Sequence, residues 1–228
     1  MVAHSEARIF VNLNFFAHFF TDHEESRFHY NAGLVLPDLI RNFLPGKRFR
    51  AEQVQKEYLD GEAHELFLGS CRHLERDKQF HRSGFFEQGE AELRMLFKEQ
   101  NLGKHIPRIW LASHLVLELM LDRVLMKQHP ELLDRFYESL EGTETHALDQ
   151  FLHASIQARD PLFHERWERF VELKYLYHYT DDDAFTYSLM RIYMRAGVSG
   201  EWSAEARNAV NSLIPAAEAR IFENLKLL

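Results

Sequence analysis

Two segments of this chain carry the same polar pattern inside otherwise apolar helical sequence. In each segment, three metal-ligand side chains recur at positions i, i+4 and i+8. The two trios are His73, Asp77 and His81, and His114, Glu118 and Asp122. An α-helix turns by about 100° per residue, so each trio forms a row within an arc of about 80°. An ionisable group among Leu, Val and Met needs a partner, a metal or water. The rows therefore predict a helical protein with a polar, metal-binding centre.

The remaining sequence favours helices as well. The 228 residues include only 10 Gly and 6 Pro, which suits long helices joined by short turns. No β alternation, internal repeat or low-complexity linker interrupts the helical periodicity. We therefore predict an all-α fold, a multi-helix bundle of about eight to ten helices that forms one domain over residues 1–228.

Proline positions predict where several helices begin or bend. A first helix is expected over 12–20. Pro37 either begins a helix that carries Asp38 or kinks one. Pro107 is expected in the first turn of the helix that carries the second trio, and Pro215 is expected to split or kink the last helix.

Charge and cysteine content exclude several classes of protein. The formal net charge is −8, whereas a general nucleic-acid or anionic-membrane binder has a basic balance. Cys71 is the only cysteine, so no internal disulfide is expected and a reducing compartment is favoured. No signal-peptide pattern and no apolar run of about 18 residues occurs. These features predict a cytoplasmic protein without a membrane span.

Other residues can complete a metal site. The 14 histidines favour metal or proton chemistry, and His18 and Asp38 lie on neighbouring predicted helices. Mixed nitrogen and oxygen ligand sets suit Mn, Fe, Zn or Ni, while all-oxygen sets suit Mg or Ca. Arg41 and Arg76 can face a phosphate group, or they can be solvated surface residues.

Four sequence blocks resemble the acyl carrier protein phosphodiesterases. NFFAHFF at 14–20 looks like that family's NFLAHL, and GLVLPDLIRN at 33–42 resembles its GNLLADFVRG. HLERD at 73–77 resembles its HRRID, and LELMLDRVL at 117–125 is similar to its LDVMWDHFL. The blocks occur in the family's order and cover mainly residues 14–125.

The resemblance implies a fold and a function. These enzymes are all-α relatives of the HD-type metal-dependent phosphohydrolases, and they release phosphopantetheine from acyl carrier protein. They typically use manganese, with Fe, Zn, Ni or Mg as the alternatives for this chain. The motif match implies site roles for His18, Asp38, His73, Asp77, Glu118 and Asp122. This chain departs from the family pattern at Leu34, Pro37 and Arg123, and His81 and His114 are ligand candidates that the pattern lacks.

The combined prediction assigns three roles within one site. The catalytic residues are Asp38 and Glu118, and the substrate-binding residues are Arg41 and Arg76. The metal ligands are His18, His73, Asp77, His81, His114 and Asp122. The expected substrate is a phosphodiester, with acyl carrier protein as the specific partner.

Two other interpretations stay open. A non-catalytic helical binding protein would keep the fold with a degenerate polar centre. For the second trio itself, the alternative to metal or catalytic work is a buried polar network that pairs with Arg123 or Lys127. A ferritin-like di-iron protein is less consistent with the sequence, because the two trio segments carry no Glu-x-x-His pair.

Overall fold

A computed structural model describes residues 14–157, 160–198 and 201–228 of the chain. About 80% of these residues are helical and none of them lies in a β-strand, so the predicted all-α class is confirmed. Eleven α-helices run through the described residues. They are α1 (Phe15–Asp22), α2 (Phe28–Gly33), α3 (Leu36–Phe43), α4 (Gly61–Phe80), α5 (Gly84–Glu99), α6 (Ile109–Gln128), α7 (Pro130–Glu141), α8 (Thr145–Ile156), α9 (Pro161–Leu173), α10 (Asp182–Arg195) and α11 (Ala204–Asn224).

The proline predictions have mixed outcomes. Pro37 lies in the first turn of α3, as the first alternative stated. The prediction for Pro107 was wrong, because Arg108 takes a left-handed conformation with φ 51° and α6 begins only after it. Pro215 lies inside α11 and does not end it. Helix α1 begins at Phe15, and the expected start at residue 12 lies outside the described residues.

Helix α6 is the central helix of the bundle. Its residues 111–126 are all buried, and it packs against α1, α5, α7, α10 and α11. Most of its side chains are apolar and join one continuous core to which every helix contributes. The ionisable side chains within residues 111–126 are therefore surrounded by protein, and each needs a partner there.

Two glycines allow α2 and α4 to cross at close range. A Cβ atom at Gly33 would lie 2.4 Å from the carbonyl oxygen of Leu66, and one at Gly69 would lie 2.0 Å from that of Tyr30. Only glycine permits this backbone approach. The crossing places the residues that follow α2 against the middle of α4. His73 lies in this part of α4, four residues after Gly69.

No helix in the described segments combines the length and the apolar character that crossing a membrane demands.

Candidate metal centre

The first group of ligand side chains lies where α1, α3 and α4 meet. We call His18, Asp38 and His73 the first group; one ligand atom of each lies within 4.8 Å of the others. All three side chains are buried. The His18 and His73 ring centroids are 4.0 Å apart, and Nε2 of His73 lies 3.7 Å from Oδ1 of Asp38. Three separate helices thus direct two imidazoles and one carboxylate to one point.

Several polar atoms of the first group lack partners. Nδ1 of His73 lies 2.8 Å from the carbonyl oxygen of Leu34, so this nitrogen carries the proton and Nε2 presents its lone pair towards Asp38. Among the described residues, nothing hydrogen-bonds to either ring nitrogen of His18 or to Oδ2 of Asp38. Buried polar atoms are normally satisfied. The first group therefore contains buried nitrogen and oxygen atoms that can bind a cation and that no described residue hydrogen-bonds.

Burial disfavours the charged form of each side chain in the first group. Burial, together with the nearby His73, His81 and Arg76, lowers the pKa of His18 well below its usual range. Burial also lowers the pKa of His73, against the opposing attraction of Asp77. The pKa of Asp38 is raised well above its usual range by burial and by the nearby carboxylates of Asp77 and Glu118. Neutral imidazoles are the form that binds metals.

The second group lies at the junction of α4 and α6. We call His81, His114 and Glu118 the second group; their ligand atoms also lie within 4.8 Å of one another. Oε1 of Glu118 lies 3.1 Å from Nε2 of His114 and 3.4 Å from Nε2 of His81. The two rows predicted from the sequence therefore meet at His81 and Glu118.

Carboxylates also lie on the far side of each imidazole in the second group. Nδ1 of His81 lies 3.2 Å from Oδ1 of Asp77, and Nδ1 of His114 lies 3.7 Å from Oε1 of Glu90. Burial alone would lower both histidine pKa values. Asp77 and Glu118 outweigh burial and raise the pKa of His81 to about 10, while Glu118 and Glu90 raise that of His114 to about 9. The second group is therefore a charged network.

The charge of Glu118 follows from the same contacts. Burial acts to raise the pKa of this fully buried carboxylate, yet His114 and His81 hold it below its usual value. Glu118 is therefore ionised between two imidazolium ions.

Asp122 lies outside both groups and stabilises the start of α1. Its Oδ1 accepts a hydrogen bond of 2.7 Å from the backbone N–H of Ala17, and its Oδ2 accepts one of 3.1 Å from that of Phe16. These amides are among the unpaired donors of a helix N-terminus. The sequence grouped Asp122 with the metal ligands, whereas the structure gives both of its oxygens to the helix that carries His18.

The two predicted phosphate-binding arginines differ in their surroundings. Arg76 is paired with Asp22 through contacts of 2.8 and 2.9 Å. Arg41 lies within the electrostatic reach of Asp38, and its buried Nη2 has no hydrogen-bond partner in the described part of the chain. Burial and the charge of Arg48 lower the pKa of Arg41. Arg41 is therefore the guanidinium that is available beside the first group.

The open alternative for the second trio named the wrong cations. Arg123 donates to the carbonyl of Tyr179 and pairs with Asp182 and Glu218. Lys127 pairs with Glu218 as well. These two cations hold α6 against α10 and α11, and the partners of Glu118 are the two histidines instead.

Sequence reasoning did not find Glu90, which lies behind His114. The residue before it, Gly89, is the one signal in the sequence, since a glycine there lets α5 approach α6 closely. A Cβ atom at Gly89 would lie 2.7 Å from Cδ1 of Leu117. A glycine inside an amphipathic helix marks such an approach, and it places the next residue beside the α6 row.

Comparisons with known proteins give no assignment for this geometry. A scan against protein-family models found no match, and searches of curated proteins and of solved structures found no significant match either.

Proposed function

We propose that this chain is a divalent-metal-dependent phosphodiester hydrolase whose cation is held by the first group. The observation that carries the proposal is the convergence of His18, Asp38 and His73 from three helices, with polar atoms that no described residue satisfies. Two imidazoles and one carboxylate suit Mn, Fe or Zn, with Ni and Mg as alternatives. Bound there, such a cation supplies Lewis acidity towards a phosphodiester and activates water near neutral pH.

The side chains around the first group have separate roles in the proposal. Oδ1 of Asp38 faces His73, while Oδ2 is available to orient a water molecule. Burial raises the pKa of the Asp38 carboxyl group, and a cation bound beside it would favour the carboxylate form that orients this water. Arg41 provides a positive charge near Asp38, where it can neutralise the phosphate. The catalytic role predicted for Glu118 stays a prediction.

The resemblance to acyl carrier protein phosphodiesterases suggests the specific substrate. Carrier proteins are acidic, and a net charge of −8 on this chain opposes their approach at long range. Exposed cations at Lys47, Arg48 and Arg50 follow Arg41 in the chain and offer local complementarity. We propose phosphopantetheinylated acyl carrier protein as the substrate to test first.

Manganese titration and two hydrolysis assays test the proposal together. The substrates are bis-p-nitrophenyl phosphate and phosphopantetheinylated acyl carrier protein. We expect the wild type to bind Mn²⁺ and to cleave at least one of them. His18→Gln should lose at least about 100-fold in Mn²⁺ affinity, because even outer partners of ligands contribute 10- to 100-fold. The matched control is His64→Gln, which changes an exposed histidine on α4.

A second function would follow from a negative result. Wild type that neither binds Mn²⁺ nor cleaves either substrate would contradict the hydrolase. The non-catalytic helical binding protein would then be favoured, since the second group and Asp122 already have protein partners.

A further inference from the structure

We propose that the second group is a separate binding site for a first-row divalent cation, formed by Nε2 of His81, Nε2 of His114 and the carboxylate of Glu118. The site uses none of the three residues of the first group. It therefore stands independently of the proposed function.

The geometry of the ligand atoms supports the site. Both Nε2 atoms point at the same oxygen of Glu118, at 3.1 and 3.4 Å, and the three ligand atoms lie within 4.8 Å of one another. Glu118 has no solvent exposure. Its second oxygen, Oε2, receives no hydrogen bond from any described residue. A buried carboxylate oxygen of this kind remains able to bind a cation.

The residues behind the ligands support the same conclusion. Metal-binding histidines usually donate their other ring N–H to a carboxylate or a carbonyl, which orients the ring. Nδ1 of His81 has both kinds of partner on Asp77, the carbonyl at 2.9 Å and the carboxylate at 3.2 Å. Nδ1 of His114 faces Glu90 at 3.7 Å, and Arg94 holds Glu90 through a 2.7 Å contact. Each imidazole is thus oriented with Nε2 inward.

The site would connect two parts of the bundle. His81 follows the last residue of α4, whereas His114 and Glu118 lie one turn apart on the central helix α6. A cation bound to all three would fix the end of α4 to α6. Two imidazoles and one carboxylate favour Mn, Fe, Co or Zn over Mg or Ca.

The stoichiometry of Mn²⁺ binding tests the inference. We expect the wild type and the His64→Gln control to bind two Mn²⁺ ions. His114→Gln should bind one ion, and so should His18→Gln, because each removes a ligand from a different site. His81→Gln is a second variant of the same site at a half-buried position, where loss of folding is less of a risk. Circular dichroism confirms that each variant is folded before titration.

Each outcome decides the inference. Wild-type stoichiometry in both His81→Gln and His114→Gln would overturn it, and so would a wild type that binds no Mn²⁺. A wild type that binds only one ion, which both His18→Gln and His114→Gln lose, would also overturn it, because the two groups would then share one cation. A single ion lost from His114→Gln but retained by His18→Gln would support this site and contradict the proposed function. A single ion lost only from His18→Gln would do the reverse.

Discussion

The first and second groups contain the same kinds of ligand, but their surroundings shift the pKa values of the histidines in opposite directions. Each consists of two imidazoles and one carboxylate within 4.8 Å. In the first group His73 is backed by the carbonyl of Leu34, and burial disfavours the charged form of each side chain. In the second group carboxylates lie both between and behind the imidazoles, and they outweigh burial. The kinds of ligand present therefore do not decide the charge of a site; the atoms behind the ligands do.

This difference has a consequence for metal binding. The imidazoles of the first group are already in the neutral form that coordinates a cation. Those of the second group must each lose a proton first. We expect the first group to fill at lower Mn²⁺ concentration, with the second group following at higher concentration or higher pH.

The largest expected difference in stability between the two groups comes from replacing the carboxyl group of each with an amide in the metal-free protein. Glu118→Gln removes the buried negative charge between the imidazolium ions of His81 and His114, which should cost about 3 to 5 kcal/mol and lower Tm by on the order of 10 °C. Asp38→Asn replaces a carboxyl group that burial already disfavours in its charged form, so its Tm should be unchanged or higher. Thermal melts at pH 7 with a chelator measure both variants.

The sign of the change in Tm of each variant decides the comparison. If Asp38→Asn destabilises the protein as much as Glu118→Gln does, the two groups are electrostatically alike and the comparison fails.

A smaller effect is expected at Asp122, which acts on the first group alone. Asp122→Ala leaves the amides of Phe16 and Ala17 unpaired at the start of α1, at a cost of about 1 to 3 kcal/mol. Because α1 carries His18, the Mn²⁺ affinity of the first group should fall while that of the second group stays unchanged. Asp122→Asn keeps one acceptor oxygen and should have a smaller effect. Equal losses at both groups would show that Asp122 does not act through α1.

The shifted histidine pKa values of each group should contribute one limb to the pH dependence of metal-free stability. The raised pKa values of His81 and His114 give a stabilisation that is complete below the unfolded value of about 6.5. It is lost as the pH rises through about 9 to 10. The lowered pKa values of His18 and His73 act in the opposite direction, so stability falls as the pH drops below about 6.5.

Two variants test which group causes each decline in stability with pH. We expect His114→Gln to flatten the alkaline decline in Tm and His18→Gln to flatten the acid decline, each by a few degrees. Melts of both variants and the wild type between pH 5 and pH 10 measure these differences. An alkaline decline that is the same in His114→Gln and the wild type would contradict the charged state of the second group.

The smallest effect is the number of protons released on metal binding. The first ion should displace at most one proton, from Asp38, and the second about two, from His81 and His114. Titration calorimetry in two buffers of different ionisation enthalpy measures both numbers at pH 7. Equal proton release at the two steps would contradict the difference between the groups.

The helical fold was largely predictable from local sequence. Scarce Gly and Pro and the helical spacing of apolar residues predict an all-α chain, and Pro37 at the start of α3 fits its rigid backbone. The error at Pro107 arose because the left-handed conformation of Arg108 has no signal in the sequence. Such a conformation is uncommon for a residue other than glycine.

The site was predictable in its residues but not in its grouping. Spacing at i and i+4 correctly places His114 and Glu118 side by side. However, the ends of each trio are eight residues apart, or about 12 Å along the helix axis, so one trio cannot surround a single ion. Tertiary packing divides the rows: His73 meets α1 and α3, His81 meets α6, and Asp122 meets the start of α1. Spacing along one helix does not show which other helix each of these residues contacts.

The location of bound manganese tests the central claim most directly. Crystals of the wild type soaked in Mn²⁺ at pH 7 would give an anomalous difference map at the manganese absorption edge. We expect the strongest peak between Nε2 of His73, the ring of His18 and the carboxylate of Asp38. A map with manganese bound elsewhere and no peak at these three side chains would contradict the assignment of the first group as the metal centre.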